Sequence, residues 1–189
     1  MKLLNIPLLV SILCSCFLSK EFTNGYNQLT EEQKSKIIPY TEAHSFEKGN
    51  IYCLSAQELL VELKKYPKSL VYVFTNGCSY KTCHPMAVYE DYAKIHNLKL
   101  FLVMNSYRSL HSTTNQAIDN PLFAIDADFY SDQKPKYYID YFLNDLEGHP
   151  LDLPRLRGIN NGNLFFYSGD HLDTTCFELP ENKIITPSF

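Results

Sequence analysis

The sequence predicts an α/β protein built on a central mixed sheet with flanking helices and a C-terminal β-hairpin. Three observations carry that prediction. "SLVYVFT" (residues 69–75) is an almost unbroken β-branched and aromatic run, as a strand buried on both faces requires. "LKLFLVM" (residues 98–104) is a second such run, with the helix-like "PMAVYEDYAKIHN" between them. The three form a βαβ unit, which implies parallel strands and a right-handed crossover. "NLFFYSGDHLDTTCFEL" reads as an antiparallel hairpin turning at Ser168, Gly169 and Asp170.

The chain begins with "MKLLNIPLLVSILCSC". Lys2 precedes an apolar stretch of signal-peptide length, too short to span a bilayer comfortably. Leu13 stands three residues before Cys16 and the small Ser15 just before it. Residues 1–16 thus resemble a bacterial lipoprotein signal. The resemblance implies that Cys16 is lipidated and that the protein is exported, tethered to a membrane of the cell envelope. A plain secretory signal or an uncleaved anchor are the other readings, and each exports the rest of the chain.

Residues 17–49 read as a polar tether followed by an N-terminal helix. Thr30 and Gln33 of "TEEQ" fit a capping box, and the helix is expected to run to about Ile38 and stop at Pro39. The main domain is expected over residues 50–189. "IYCL" is a brief strand, and "SAQELLVELKKYP" a helix capped by Ser55 with Glu58 answering. Leu59, Leu60 and Leu63 form its apolar face. In "PMAVYEDYAKIHN", Pro85 suits a first helical position, and Met86, Val88, Tyr89, Tyr92, Ala93 and Ile95 supply a packing surface. "SYRSLHSTTNQAIDN" is a polar loop with a helical turn, and "PLFAID" a short strand or an ordered arm. "KPKYYIDYFLNDLEG" is a helix with Tyr138, Tyr141, Phe142 and Leu146 on one side and a stop at Gly148. A formal charge of −4, with no dense Lys/Arg run, gives no reason to expect a nucleic-acid partner.

Export changes the meaning of the cysteines. Cys53, Cys78, Cys83 and Cys176 remain once the leader is set aside, and outside the cytosol a nearby pair persists as a disulfide. Cys78 and Cys83 lie in "FTNGCSYKTCHPM", between the first buried strand and the following helix. The element order and this cysteine placement resemble the thioredoxin-like fold over roughly residues 50–177. There too a first cysteine follows the central strand at the start of a helix. The family's Trp before that cysteine is replaced by Gly77, and the spacing is four rather than two. "INNGN" stands where the family's cis-proline precedes the penultimate strand; the nearest upstream proline is Pro154.

Five steps along an α-helix would put the two Cα atoms roughly 8.6 Å apart, too far for a disulfide. If the sulfurs bond, "CSYKT" is a turn or loop and the helix starts near Pro85. A thiolate there gains from the helix N-terminus and from Lys81 and His84, which lower its pKa. The chemistry this supports is thiol–disulfide exchange. Reduced Cys78 attacks a protein disulfide, or the oxidised pair is attacked at Cys78 by a protein thiol, and Cys83 resolves the mixed disulfide or is its leaving thiolate, with no cofactor.

Other readings stay open. A thioredoxin-like module can be a non-catalytic binding or structural lipoprotein with the pair as a staple. Thr75, Cys78 and Cys83 are similar in spacing to the peroxiredoxin pattern, with Val71 in place of that family's proline and Arg155 or Arg157 as the orienting arginine. Copper-delivery proteins of the same fold use two cysteines and a distant His, for which His84, His149 or His171 would serve. A closed zinc site lacks a second Cys/His pair with ligand spacing, so no resident metal is expected. Cys53 and Cys176 are expected on opposite edges of the sheet as buried thiols, and His96 at a helix end.

Overall fold

The computed structural model describes residues 24–40, 45–80, 83–130, 137–149 and 162–180. The leader with Cys16, Lys81, Pro154, Arg155 and Arg157 lie outside the described residues.

A single turn of 3-10 helix (Tyr26–Gln28) precedes α1 (Glu31–Lys34), β1 (Ile37–Pro39), β2 (Ile51–Leu54) and α2 (Ala56–Leu63). Then come β3 (Ser69–Phe74), α3 (Met86–Ile95), β4 (Lys99–Met104), α4 (Leu110–Thr114) and β5 (Leu122–Ile125). The order finishes with α5 (Tyr138–Leu146), β6 (Leu164–Ser168) and β7 (His171–Cys176). The strands make one mixed sheet in the order β1-β2-β5-β4-β3-β6-β7. From β1 to β3 the neighbours are parallel. The hairpin β6–β7 joins antiparallel to β3.

All six residues of β3 are buried because both sheet faces are covered, and side chains alternate between them. Val71 and Val73 meet Phe101, Phe123 and Phe165 beneath α2 and α5. Leu70, Tyr72 and Phe74 meet Leu102 and Met104 beneath Met86, Tyr89 and Ala93 of α3 and Leu110 of α4. The parallel register Ser69↔Lys99 through Phe74↔Met104 confirms the βαβ unit. Buried tyrosines also fix α5 along the sheet. The Tyr138 hydroxyl donates to the Asn105 carbonyl at one end, and that of Tyr167 to the Leu146 carbonyl at the other, at 2.6 Å.

Both capping boxes form, at Thr30/Gln33 and Ser55/Glu58. The N-terminal helix is shorter than expected. It ends at Lys34, and Ile37, Ile38 and Pro39 pair parallel with Ile51, Tyr52 and Cys53. An edge strand tolerates the proline's missing N–H, and two adjacent isoleucines favour extended backbone. "PLFAID" is a strand, buried between β2 and β4. On α3, Val88 and Ile95 face outward (39% and 77% exposed), and Pro85 caps the helix rather than opening it. Cys53 in β2 and Cys176 in β7 are unbonded thiols with four strands between them, but β2 lies one strand in from the edge and both thiols are half-buried rather than buried.

The hairpin is held close to the sheet by Gly162. Its φ is +151°, and a Cβ there would lie 2.2 Å from the Cys176 carbonyl oxygen. Next to it, Asn163 accepts the Val73 N–H through its carbonyl at 2.8 Å. Gly162→Ala should therefore cost about 2–4 kcal/mol, because backbone rather than a flexible side chain blocks the methyl group. Urea unfolding checks this, and a stability within about 0.5 kcal/mol of wild type would contradict it.

Candidate functional site

β3 delivers its C-terminal end into a pinned turn. Beyond Phe74 the chain leaves the sheet through Thr75, Asn76 and Gly77, whose φ of +67° is one that glycine adopts without strain. Asn76 is buried, and its amide donates to the Ser106 carbonyl at 2.7 Å while accepting the Thr113 hydroxyl at 2.5 Å. The Thr75 hydroxyl accepts from the Asn105 side chain at 2.7 Å. The turn is thus tied to the β4–α4 connection and to α4 itself. Removing one partner would leave the other buried and unsatisfied, which is why such a network holds its shape.

Cys78 follows, its N–H donating to the Thr75 carbonyl at 3.3 Å. It is bonded to Cys83 with a Cα–Cα separation of 6.0 Å. The Cys83 N–H closes a turn onto the Tyr80 carbonyl at 2.9 Å, and α3 begins only at Met86. The described residues of this interval, Cys78, Ser79, Tyr80 and Cys83, are non-helical, as expected if the sulfurs bond. Both cysteines are half-buried, and Tyr80 at the tip of their loop is 80% exposed.

The disulfide borders a polar pocket of about 190 Å³. Thr75, His84, Ser112, Thr113 and Gln116 supply its polar wall, with Tyr72 and Met86 alongside. Gln116 also substitutes for a missing helix cap. Pro85 offers no side-chain acceptor, and Gln116 Oε1 accepts the Met86 N–H at 2.9 Å while its Nε2 donates to the Ser112 carbonyl at 3.0 Å. One of the free N–H groups of α3 is satisfied in this way, so the helix end offers a thiolate less than a bare terminus would. His84 is exposed beside Cys83, its ring 6.3 Å from that of Tyr89.

His149 and His171 are not brought to this site. The end of α5 is bonded to Tyr167, and His171 pairs with Ser168, both at the N-terminal end of β3 and away from Cys78. Among the described residues no group of three or more His, Cys, Asp or Glu is placed to hold a metal ion. Thr75 does share the pocket with Cys78. No peptide bond among the described residues is cis, and Gly162 and Asn163 occupy the place before β6.

Sequence reading missed Asn76, Ser112, Thr113 and Gln116. The signal was faint: "SLHSTTNQ" is dense in hydroxyls and amides for a loop, and Asn76 stands at the exit of a buried strand. Polar side chains that turn inward leave no apolar periodicity to follow.

Compared with protein-family models, curated proteins and solved structures, the chain matches none.

Cys53 is chemically distinct from the bonded pair. Burial pushes its thiol up to about 12, against a weaker opposing effect from the Tyr107 hydroxyl 3.6 Å away. Burial also raises Cys176. Because the thiolate is the reactive form, a raised pKa makes both sluggish at neutral pH. Alkylation of Cys53 in the native protein, followed by peptide mass spectrometry, should keep accelerating about tenfold per pH unit beyond pH 9. Levelling off near the ordinary thiol value of 9.0 would contradict the assignment.

Proposed function

We propose that this chain is an exported thiol–disulfide oxidoreductase with a thioredoxin-like domain, carried to the bacterial cell envelope and anchored there through a lipid on Cys16. Cys78 and Cys83 are its redox pair and protein thiols or disulfides its substrates. The observation that carries the reading is the Cys78–Cys83 bond itself, half-buried at the C-terminal mouth of the central strand and open to a polar pocket. A half-buried bond beside a pocket is within reach of a substrate thiolate, which supports exchange.

In the reducing direction the Cys78 thiolate attacks one sulfur of a substrate disulfide. The S–S bond breaks, one substrate sulfur leaves as a thiolate, and a mixed disulfide forms. Cys83, once deprotonated, attacks Cys78 and releases the second substrate thiolate. Two electrons pass from the protein dithiol to the substrate, and two protons follow. The reverse sequence oxidises a substrate dithiol. Lys81 and His84 are proposed to favour the Cys78 thiolate, His84 from its exposed position next to Cys83.

A second reading is a non-catalytic binding or structural lipoprotein. It is favoured by Gly162 and Asn163 standing where the family has its cis-proline, and by Gln116 occupying a helix N–H beside the pair. Trapping separates the two. With a fluorescent disulfide peptide, Cys83→Ser should accumulate a mixed disulfide through Cys78 that dithiothreitol releases. Cys78→Ser should lower exchange at least about tenfold below the reduced wild type. Equal, background-level exchange in wild type and both variants would leave only the non-catalytic reading.

A further inference from the structure

A second cavity shares Gln116 with the pocket beside the disulfide. It has a volume of about 290 Å³, close to the lower end of the range typical for small-molecule sites. Its floor is apolar, made by Ile51, Leu110, Ile118 and Leu122, all buried. Two lysines, Lys36 and Lys48, also line it. Lys36 pairs with Glu32 at 3.2 Å and Lys48 with Asp119 at 2.6 Å, but those carboxylates are 82% and 91% exposed. Ion pairs to solvated carboxylates contribute little, so an incoming anion replaces them at small cost. An apolar floor with two cationic side chains selects a ligand with the same two halves.

The cavity wall is also fastened to the helix that follows the disulfide. Gln116 lines both the cavity and the polar pocket, and it holds the Met86 N–H. One turn further along α3, Glu90 Oε1 accepts the Asp119 N–H, the Asn120 N–H and the Asn120 side-chain amide, each at 2.8 Å. Four hydrogen bonds therefore join the segment from Gln116 to Asn120 to the first turns of α3. The helix start lies three residues after Cys83, so whatever reorients Gln116 changes the surroundings of the sulfurs.

We propose that this cavity binds a small amphipathic carboxylate, and that Gln116 couples its occupancy to the Cys78–Cys83 pair. The carboxylate pairs with Lys36 and Lys48 while a short aliphatic chain lies on Ile118 and Leu122. Coupling of this kind is reciprocal: a ligand that shifts the dithiol–disulfide equilibrium binds the two redox forms with different affinity. The site stands apart from the proposed exchange activity, because a disulfide equilibrates with glutathione whether or not it turns over a protein substrate.

Hexanoate is the probe and hexylammonium the charge-reversed control, each titrated into the oxidised full chain and followed by amide NMR. Hexanoate should give saturable shifts at Ile118, Leu122 and the Gln116 side chain, and hexylammonium none. Lys36→Ala combined with Lys48→Ala, both on the surface, should weaken hexanoate at least tenfold. In a fixed glutathione buffer, saturating hexanoate should change the ratio of disulfide to dithiol at least threefold. At hexanoate concentrations that saturate the variant itself, Gln116→Ala should lose that change; Gln116→Met, of similar length, replaces it if the alanine variant does not fold. Non-saturable shifts, equal shifts with hexylammonium or undiminished binding in the double variant would overturn the site. A redox ratio unmoved by bound hexanoate, or moved equally without Gln116, would overturn the coupling.

Discussion

The arrangement depends on β3, which must be covered on both faces and paired on both edges. Its six residues are buried, so each backbone group needs a partner within the protein. β4 supplies one edge in parallel and β6 the other in antiparallel fashion. A parallel partner forces the chain to cross over a sheet face, and α3 is that crossover. The segment joining the strand end to the helix start is consequently fixed at both ends, and it holds both cysteines. The position of the sulfurs follows from strand burial before any chemistry is considered.

Polar contacts then decide the shape of that segment. Asn76 and Thr75 tie it to Ser106, Thr113 and Asn105, and Gln116 holds the first N–H of α3. A Cα separation of 6.0 Å lies within the range that a disulfide spans, whereas regular helix over the same interval would not. The same contacts form the wall of the pocket beside the bond. Thr75, Thr113 and Gln116 thus both position the segment and line the pocket.

Much of this was legible in the sequence, for physical reasons that differ between elements. β3 and β4 announce themselves because strands buried on both faces must be apolar throughout. Ser55/Glu58 and Thr30/Gln33 are visible because capping uses side chains at a fixed interval. Helix geometry alone implied a non-helical cysteine loop if the sulfurs bond. β1 was hidden because Ile37, Ile38 and Pro39 become a strand only through an edge partner, Ile51 to Cys53, distant in sequence. β5 is four residues long, and its place between β2 and β4 depends on long-range pairing. Asn76, Thr113 and Gln116 were hidden because their partners lie 30 or more residues away in the chain.

The central claim is that the bond at the mouth of β3 is a working redox couple and not a fixed staple. Its reduction potential tests that most directly, measured on the wild-type chain in glutathione buffers with the two cysteines read out by mass spectrometry. A working couple should lie at about −270 mV or above, in the range of known exchange proteins. A value below about −300 mV, where structural disulfides of secreted proteins lie, would contradict it.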